Sequence, residues 1–349
     1  MKASSISSNA ISEAMRYQMM RMQNDMARAE KELVSGRVAD RGLALGARTG
    51  QSVTLARDVD RLGTLLDSNA LVQSRLASTQ SGLQQITTLA QDLLPAFTTA
   101  ASGPIDPKLP QTEARAALNA VTSILNTRQN GEFLFAGINT DTKPIDEFMA
   151  PGSASRAAFD AAFLGEFGFG INDPLAGGIT AAEMADFIDN AVTQQFLGPN
   201  WELNWSTASD QHIMARITIS ETTQASLSAN NDGVKKLLMA TAMVTYLMDG
   251  DLTEGVRQTV MEKAINFVGQ SVGELGVTQS EIGIIQNRVD SASERVEMQI
   301  NLFRTSISDL EGVDPFEAST RVTSLLTQIE MSYTLTSRIQ QLSLVRFLG

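Results

Sequence analysis

The feature that most constrains the fold of this chain is a seven-residue repeat of apolar side chains over residues 261–310. The repeat positions are Met261, Val268, Leu275, Ile282, Val289, Val296, Phe303 and Leu310. Such a repeat is typical of an α-helix that buries one narrow face against partner helices in a left-handed coiled coil. At about 1.5 Å per residue, this helix would be roughly 75 Å long, far longer than a globular core requires.

A second repeat of the same period predicts the partner helix, which begins near Ser52. Its positions are Leu62, Asn69, Leu76, Leu83, Ala90 and Phe97. Asn69 is compatible with two interpretations: a buried amide that fixes the register at some cost in stability, or a side chain that faces water. We therefore predict a mainly α fold whose N- and C-terminal segments form a long antiparallel coiled-coil rod.

Both ends of the chain carry amphipathic patterns outside the two repeats. The first predicted helix ends at Ser35-Gly36, where glycine suits the left-handed turn of a helix terminus. The last predicted helix begins at Asp314-Pro315, a capping residue followed by proline at the first helical position. Their apolar stripes comprise Met15, Met19, Met22, Met26 and Leu33 in the first helix, and Leu326, Ile329, Tyr333, Ile339, Leu342, Phe347 and Leu348 in the last.

These stripes are the predicted assembly interface. The methionine face is compatible with an ordinary helix core, and also with a soft surface that stays exposed until a partner helix docks. The apolar residues at the C-terminus have no further sequence to cover them. We therefore expect the two terminal helices to pair and to be completed by neighbouring molecules, being disordered until they dock.

Between the repeats the composition changes. Four glycines between Gly36 and Gly50 predict an extended, turn-rich connector, and a third helix is expected to begin at Thr112 and to end at the turn Asn130-Gly131. Eleven of the nineteen aromatic residues lie between Phe133 and Trp205. This pattern predicts an α/β or β-rich globular insert over 138–220, with helix resuming near Ser220.

The predicted domain organisation has three parts. Residues 1–45 and 313–349 form the terminal helices, residues 46–137 and 221–312 form the rod, and residues 138–220 form the inserted domain. The seam of the rod contains Leu62, Leu76, Leu83 and Phe97 from the first repeat and Leu275, Ile282, Val289, Val296, Phe303 and Leu310 from the second.

The composition and the net charge of the chain exclude several classes of function. The formal net charge of −12 argues against nucleic acid and anionic membranes as partners, since both require clustered Lys and Arg. The chain has no cysteine and a single histidine, His212, so no thiolate metal site and no convincing Ser-His-Asp triad can be built. The Ser-rich stretch 1–15 lacks the apolar core of a cleaved signal peptide, and no apolar run is long enough to span a bilayer. We expect no enzyme activity, no cofactor and no membrane insertion.

Two motifs and their order carry a resemblance to a known family. The segment 32–38 (Glu-Leu-Val-Ser-Gly-Arg-Val), with Ser35 and Gly36, is similar to the Ser-Gly motif that ends the first helix of bacterial flagellins. The segment 130–137, with Gly131, Phe133, Phe135 and Gly137, resembles the Gly-x-aromatic-x-Phe-x-Gly signature of the hook–filament junction proteins, the hook-associated protein 3 family. The C-terminal segment 341–348 is closer to that family than to flagellin. The resemblance covers roughly residues 1–145 and 215–349, while the insert resembles no family, and the usual acidic pair after the Ser-Gly motif is reduced to Asp40.

The resemblance implies a structural role in the bacterial flagellum. It implies export without a cleaved signal peptide through the flagellar type III channel, with a cytoplasmic chaperone. It further implies assembly of copies of the chain as an extracellular ring between hook-associated protein 1 and flagellin. Three alternatives remain: flagellin itself, a cytoplasmic coiled-coil signalling protein, and an enzyme housed in the insert.

Overall fold

A computed structural model describes residues 8–348, and within them all side chains except those of residues 8, 9, 11, 12 and 339–348. The helices are α1 (Ser8–Ser35), α2 (Arg41–Leu45), α3 (Thr49–Ala101), α4 (Lys108–Leu125), α5 (Ala154–Phe167), α6 (Ala181–Phe187), α7 (Thr193–Phe196), α8 (Asn200–Asn204), α9 (Asp232–Leu247), α10 (Glu254–Glu311) and α11 (Pro315–Leu348). The strands are β1 (Arg128–Gln129), β2 (Glu132–Phe133), β3 (Met214–Arg216) and β4 (Thr222–Gln224). The predicted fold class, mainly α with a small insert, is confirmed.

The chain folds as two compact units. Unit 1 consists of the described residues of Met1–Thr64 and Val296–Gly349, and unit 2 consists of Leu65–Arg295. Unit 1 contains α1, α2, the start of α3, the end of α10, and α11. The predicted three-part division, with its boundaries at 45, 137 and 220, stays a prediction.

In unit 2, α3 and α10 run antiparallel. Hydrogen bonds join Gln73 to Asp290 and Gln279 to Thr87, so residue numbers rise along one helix as they fall along the other. The seam residues are buried on both helices of this unit, as their seven-residue spacing predicts. These residues are Leu76, Leu83, Phe97, Leu275, Ile282 and Val289. In unit 1, Leu62 and Val296 are buried, whereas Phe303 and Leu310 are half-buried.

Asn69 is buried on the seam of unit 2, so its side chain does not face water. Its amide nitrogen donates to the carbonyl oxygen of Ile217, which follows β3, and to the hydroxyl of Ser293 on α10, each at 3.0 Å. The amide is hydrogen-bonded because the β3–β4 hairpin lies against the α3–α10 helix pair next to Asn69. Of the two interpretations, the water-facing Asn69 is therefore wrong, and neighbours along the chain do not reveal a contact 148 residues away.

Glu221, beside β4, also fixes the hairpin to α10. One carboxylate oxygen accepts from Arg288 Nε at 2.6 Å and the other accepts from Arg295 Nη2 at 2.9 Å. These two arginines are seven residues apart and therefore share one face of α10. The hydrogen bond from Arg288 is the main reason that the pKa of Glu221 lies below its ordinary value of 4.5.

An aromatic cluster forms the core around the insert. Phe148 stacks on Trp205 with ring centroids 5.3 Å apart, and Phe159 packs edge-on against Phe187. The ring centroid of Tyr246, on α9, lies 4.8 Å from that of Phe159, so α9 supplies part of this core. The insert, residues 138–220, contains α5 to α8 and the strand β3, which pairs with β4 just beyond it; this is nearer to the predicted α/β alternative than to the β-rich one.

Three helices begin at residues that were not predicted, each because a local capping or pairing signal was missed. The glycine-rich connector contains α2, whose first turn is capped by the side chain of Asp40. Helix α4 begins at Lys108 rather than Thr112, because proline is tolerated in a first turn, where Pro110 lies. Helix does not resume at Ser220: β4 intervenes, and α9 begins at Asp232 with Asn231 as its cap.

Within residues 8–348, no helix is both long enough and apolar enough to cross a bilayer.

Candidate assembly interface

The terminal helices α1 and α11 pair with each other within unit 1. Gln23 donates to the phenolic oxygen of Tyr333 at 3.1 Å, and Arg321 contacts Glu32 at 3.2 Å. Since the earlier residue on α1 meets the later one on α11, the two helices are antiparallel. The expected pairing of the terminal helices is therefore present in the single chain.

The predicted stripes are divided between this pairing and the surface. On α1 the four methionines Met15, Met19, Met22 and Met26 are half-buried, whereas Leu33 is exposed. On α11, Ile329 is buried, whereas Leu326 and Tyr333 are exposed. The side chains of Ile339, Leu342, Phe347 and Leu348 lie outside the described residues. Part of the stripe thus contacts the partner helix of the same chain, and whether the remainder binds neighbours stays a prediction.

A second set of apolar side chains on these helices was missed by the sequence analysis. They lie off the main stripes, which is why steps of three and four did not collect them. The exposed members are Tyr17, Met20 and Val34 on α1 and Phe316, Met331 and Leu335 on α11. Met331 and Leu335 line a shallow groove of about 400 Å³ on α11, flanked by Glu330 and Arg338. Exposed apolar side chains in such number on one helix pair are typical of protein–protein contact sites.

The Ser-Gly motif forms the turn that ends α1. Gly36 has a φ of +65°, and its N–H donates to the carbonyl of Glu32 at 2.8 Å, as expected for a left-handed helix cap. The hydroxyl of Ser35 donates to the carbonyl of Lys31 at 2.7 Å. Beyond the turn, the chain pairs with the break between α10 and α11: Val38 N–H donates to the carbonyl of Glu311, and Val313 N–H donates to that of Gly36.

The Glu311 side chain lies beneath this turn and is only 1% exposed. It accepts a hydrogen bond from the hydroxyl of Ser52. Arg41 Nε lies 3.2 Å from one carboxylate oxygen, and Arg37 Nη1 lies 3.6 Å from the other. Nothing in the sequence around Glu311 indicates this burial, since a single acidic residue at a helix end carries no such signal.

The second motif builds the β1–β2 hairpin of unit 2. Asn130 and Gly131 both have positive φ, at 53° and 90°, as a two-residue hairpin turn requires. Phe133 and Phe135 are buried, and the guanidinium carbon of Arg128 lies 4.1 Å from the centroid of the Phe133 ring. The predicted turn at Asn130-Gly131 is therefore confirmed, but the preceding helix does not reach it: α4 ends at Leu125, because Arg128 and Gln129 pair with β2 as the strand β1.

Gly137 closes the same motif at a position where only glycine fits. Its φ is +64°, and a Cβ there would lie 2.2 Å from the carbonyl oxygen of Ser209. Its N–H donates to the carbonyl of Leu227 at 3.3 Å. The motif thus joins the chain before the insert to the chain after it.

No candidate metal-binding cluster is present in the part of the chain that is described. Its Asp, Glu and His side chains do not gather in groups of three that would suit a metal ion. A polar groove of about 490 Å³ in unit 2 lies between α4 and the segment 147–151 and includes Asn126, whose amide is satisfied by the backbone of Ile145.

Comparison with known proteins gives matches at both ends of the chain. The model of the bacterial flagellin N-terminal helical region matches residues 6–140, and that of the C-terminal helical region matches residues 265–348. Together the two segments span more than half of the chain. No curated protein matches it.

Two solved structures are similar to the chain. One, from Vibrio parahaemolyticus and assigned as a flagellar hook-associated protein, is 12% identical, with a TM-score of 0.52 over 76% of this chain and 97% of that one. FlgL of Bacillus cereus is 10% identical, with a TM-score of 0.49 over 73% and 98%. At 12% identity, the similarity to the first structure shows a shared fold alone.

Proposed function

The chain belongs to the bacterial flagellin family, and from that premise we propose that it is a non-enzymatic, extracellular adaptor between hook-associated protein 1 and the flagellin filament. The observation that carries this proposal is the combination of two flagellin-type ends with a paired terminal helix hairpin. Residues 6–140 and 265–348 match the two helical regions of flagellin, and α1 lies antiparallel to α11.

The exposed apolar side chains of that hairpin support an assembling protein. Tyr17, Met20, Phe316 and Met331 expose apolar surface to water on adjoining helices, which is unfavourable in a protein that stays monomeric. In a subunit that assembles through these helices, contact with a neighbouring subunit would remove that apolar surface from water. Contacts between different surfaces of identical subunits generate rings or helical arrays. Copies of the same chain, hook-associated protein 1 and flagellin are the proposed partners.

The assignment as a junction protein rests on the second motif. The hairpin of Gly131 and Phe133, followed by the tightly packed Gly137, resembles the junction-protein signature, as does the C-terminal segment 341–348. The second candidate function is flagellin itself, which the two matching family models favour. A filament subunit forms long homopolymers, whereas a junction protein should not.

Export is proposed to occur without a cleaved signal peptide, through the flagellar type III channel and with a chaperone. A chain without cysteine can pass through in an unfolded state without disulfide formation.

Electron microscopy of cells lacking this protein tests the proposal. An adaptor predicts hooks without filaments and flagellin released into the medium. Normal filaments in the deletion strain would contradict the proposal. Long homopolymers formed by the purified chain would instead favour the flagellin alternative.

A further inference from the structure

Glu311 is buried more deeply than its charge alone would allow. It ends α10, is 1% exposed, and is the one acidic residue among the buried side chains of the described chain. Placing a carboxylate in such a site is costly unless partners compensate for the lost water. Its partners are Ser52 at the start of α3 and the side chains of Arg37 and Arg41, which precede and open α2.

The compensation is incomplete. Arg41 Nε and the Ser52 hydroxyl both contact the Oε1 atom, whereas Oε2 accepts no hydrogen bond from the described residues and has Arg37 Nη1 at 3.6 Å. Both arginines are about half exposed. A buried ion pair of this kind is a poor source of stability, and buried polar groups are retained in some proteins because they select one geometry over others.

The backbone around Glu311 shows which geometry is selected. Residues 36–38 and 311–313 pair as a short antiparallel ladder through Val38 N–H to the Glu311 carbonyl at 2.8 Å and Val313 N–H to the Gly36 carbonyl at 3.0 Å. This ladder joins the segment that follows α1 to the break between α10 and α11. A Cβ on Gly312 would lie 2.4 Å from the carbonyl of Ser308, so the break in the helix also tolerates little change.

We propose that Glu311 is a positioning residue that sets the register of the α1–α11 pair. We define the junction clip as residues 36–38 and 311–313 together with the side chains of Arg41 and Ser52. The carboxylate holds the N-terminal connector onto the break between α10 and α11, so that Gln23 meets Tyr333 and the exposed apolar side chains of both helices are presented in one fixed arrangement. That the arrangement is needed by neighbouring subunits rests on the proposed function; the register itself does not.

Disulfide trapping in the full-length chain tests the register, because the protein has no cysteine of its own. One double variant, Gln23→Cys with Tyr333→Cys, reports the observed register. A second, Gln23→Cys with Ser337→Cys, reports a shift of one helical turn along α11. The measurement is the ratio of the two initial rates of disulfide formation, in variants whose helix content by circular dichroism equals that of the parent.

Glu311→Gln preserves the shape of the side chain and removes its charge. We expect the ratio to fall roughly tenfold, which corresponds to about 1.4 kcal/mol between registers. The matched control is Asp309→Asn, an exposed residue on the same turn, which should leave the ratio unchanged.

A second variant, Arg41→Gln, removes the cation that faces Glu311 and lies at an exposed position. It should also lower the ratio, and it provides the test if Glu311→Gln fails to fold. An unchanged ratio in Glu311→Gln, or in Arg41→Gln should the first variant not fold, would overturn the proposal.

Incorporation into flagella is measured separately with the same variants. A lower ratio together with poor incorporation of Glu311→Gln supports both halves of the proposal. A lower ratio with normal incorporation overturns the claim that neighbours need this register. Normal filaments in cells lacking the protein would refute the proposed function and leave the trapping result standing.

Discussion

Asn69 of α3 and Ser293 of α10 are joined by a hydrogen bond of 3.0 Å between the amide nitrogen and the hydroxyl oxygen. The same amide nitrogen donates to the carbonyl of Ile217, so one side chain connects both helices of unit 2 with the end of β3. A polar residue on a coiled-coil seam typically selects a register at a cost in stability. Here it also holds the inserted hairpin in place.

Replacing this amide should be costly. Asn69→Leu removes the donor that reaches the Ile217 carbonyl, and leaving a buried carbonyl without a partner costs about 1–3 kcal/mol. We expect the free energy of unfolding in urea to fall by that amount. Ser68→Ala, on the neighbouring exposed position, should stay within about 0.5 kcal/mol of the parent. Equal stability of Asn69→Leu and the parent would show that the amide contributes nothing to the hairpin contact.

The seam predicts a sharp contrast between two isoleucines on α10. Ile282 is 3% exposed and Ile284 is 68% exposed. Ile282→Asp forces an unpaired charge into the core and should cost about 3 kcal/mol or more, whereas Ile284→Asp should be nearly neutral. Phe303→Asp, at a half-buried position in unit 1, should fall between them. Thermal unfolding followed by circular dichroism checks the order, and a similar effect of both isoleucine variants would refute the assigned seam.

Acid should release the β3–β4 hairpin through Glu221. Because the pKa of Glu221 is lowered, chiefly by Arg288, its contribution is present above the ordinary value of 4.5 and is lost as the pH falls through the lowered pKa. We expect Glu221→Gln to have a lower Tm than the parent at pH 7, and the difference to shrink below pH 4.5 and to vanish once the pH is below the lowered pKa. Glu281→Gln, at an exposed site on α10, serves as the charge control. A difference in Tm that persists unchanged at low pH would exclude an ionic origin.

Gly137 and Gly269 should respond to alanine in opposite directions. Gly137→Ala combines a positive φ with a Cβ 2.2 Å from the Ser209 carbonyl oxygen, so it should destabilise unit 2 by roughly 2–4 kcal/mol. Gly269→Ala adds a Cβ in open space inside α10, where alanine is favoured by about 0.8–1 kcal/mol. Urea unfolding of the two variants measures both effects. Tolerance of Gly137→Ala would mean that the turn can relax.

Removal of residues 315–349 separates assembly from folding. The truncation deletes α11 and leaves every residue of unit 2 in place. We expect the truncated protein to keep the cooperative unfolding of unit 2 and to fail to join the flagellum, because the partner of α1 and its exposed apolar side chains are gone. Near-complete loss of helical circular dichroism would show instead that unit 2 depends on α11.

Periodicity alone predicted α3 and α10, because a helix that buries one face must repeat its apolar residues at helical spacing along the chain. The turns at Gly36 and Asn130-Gly131 were equally accessible, since a left-handed backbone restricts the residue type at that position. Helix α2 was missed and the starts of α4 and α9 were misplaced. In each case a capping residue that favours a helix lies close to glycine or proline residues that favour a turn, and the sequence does not show which preference prevails.

The amino-acid sequence by itself determined the helical fold class, the two seams, the tight turns and the amphipathic ends, since each of these depends on residues close together in the chain. Only the tertiary structure decided that Asn69 meets Ile217, that Glu221 meets Arg288 and Arg295, and that Glu311 lies buried beside Ser52. Those contacts join residues between 67 and 259 positions apart, and which polar groups meet there depends on how the helices and the insert pack.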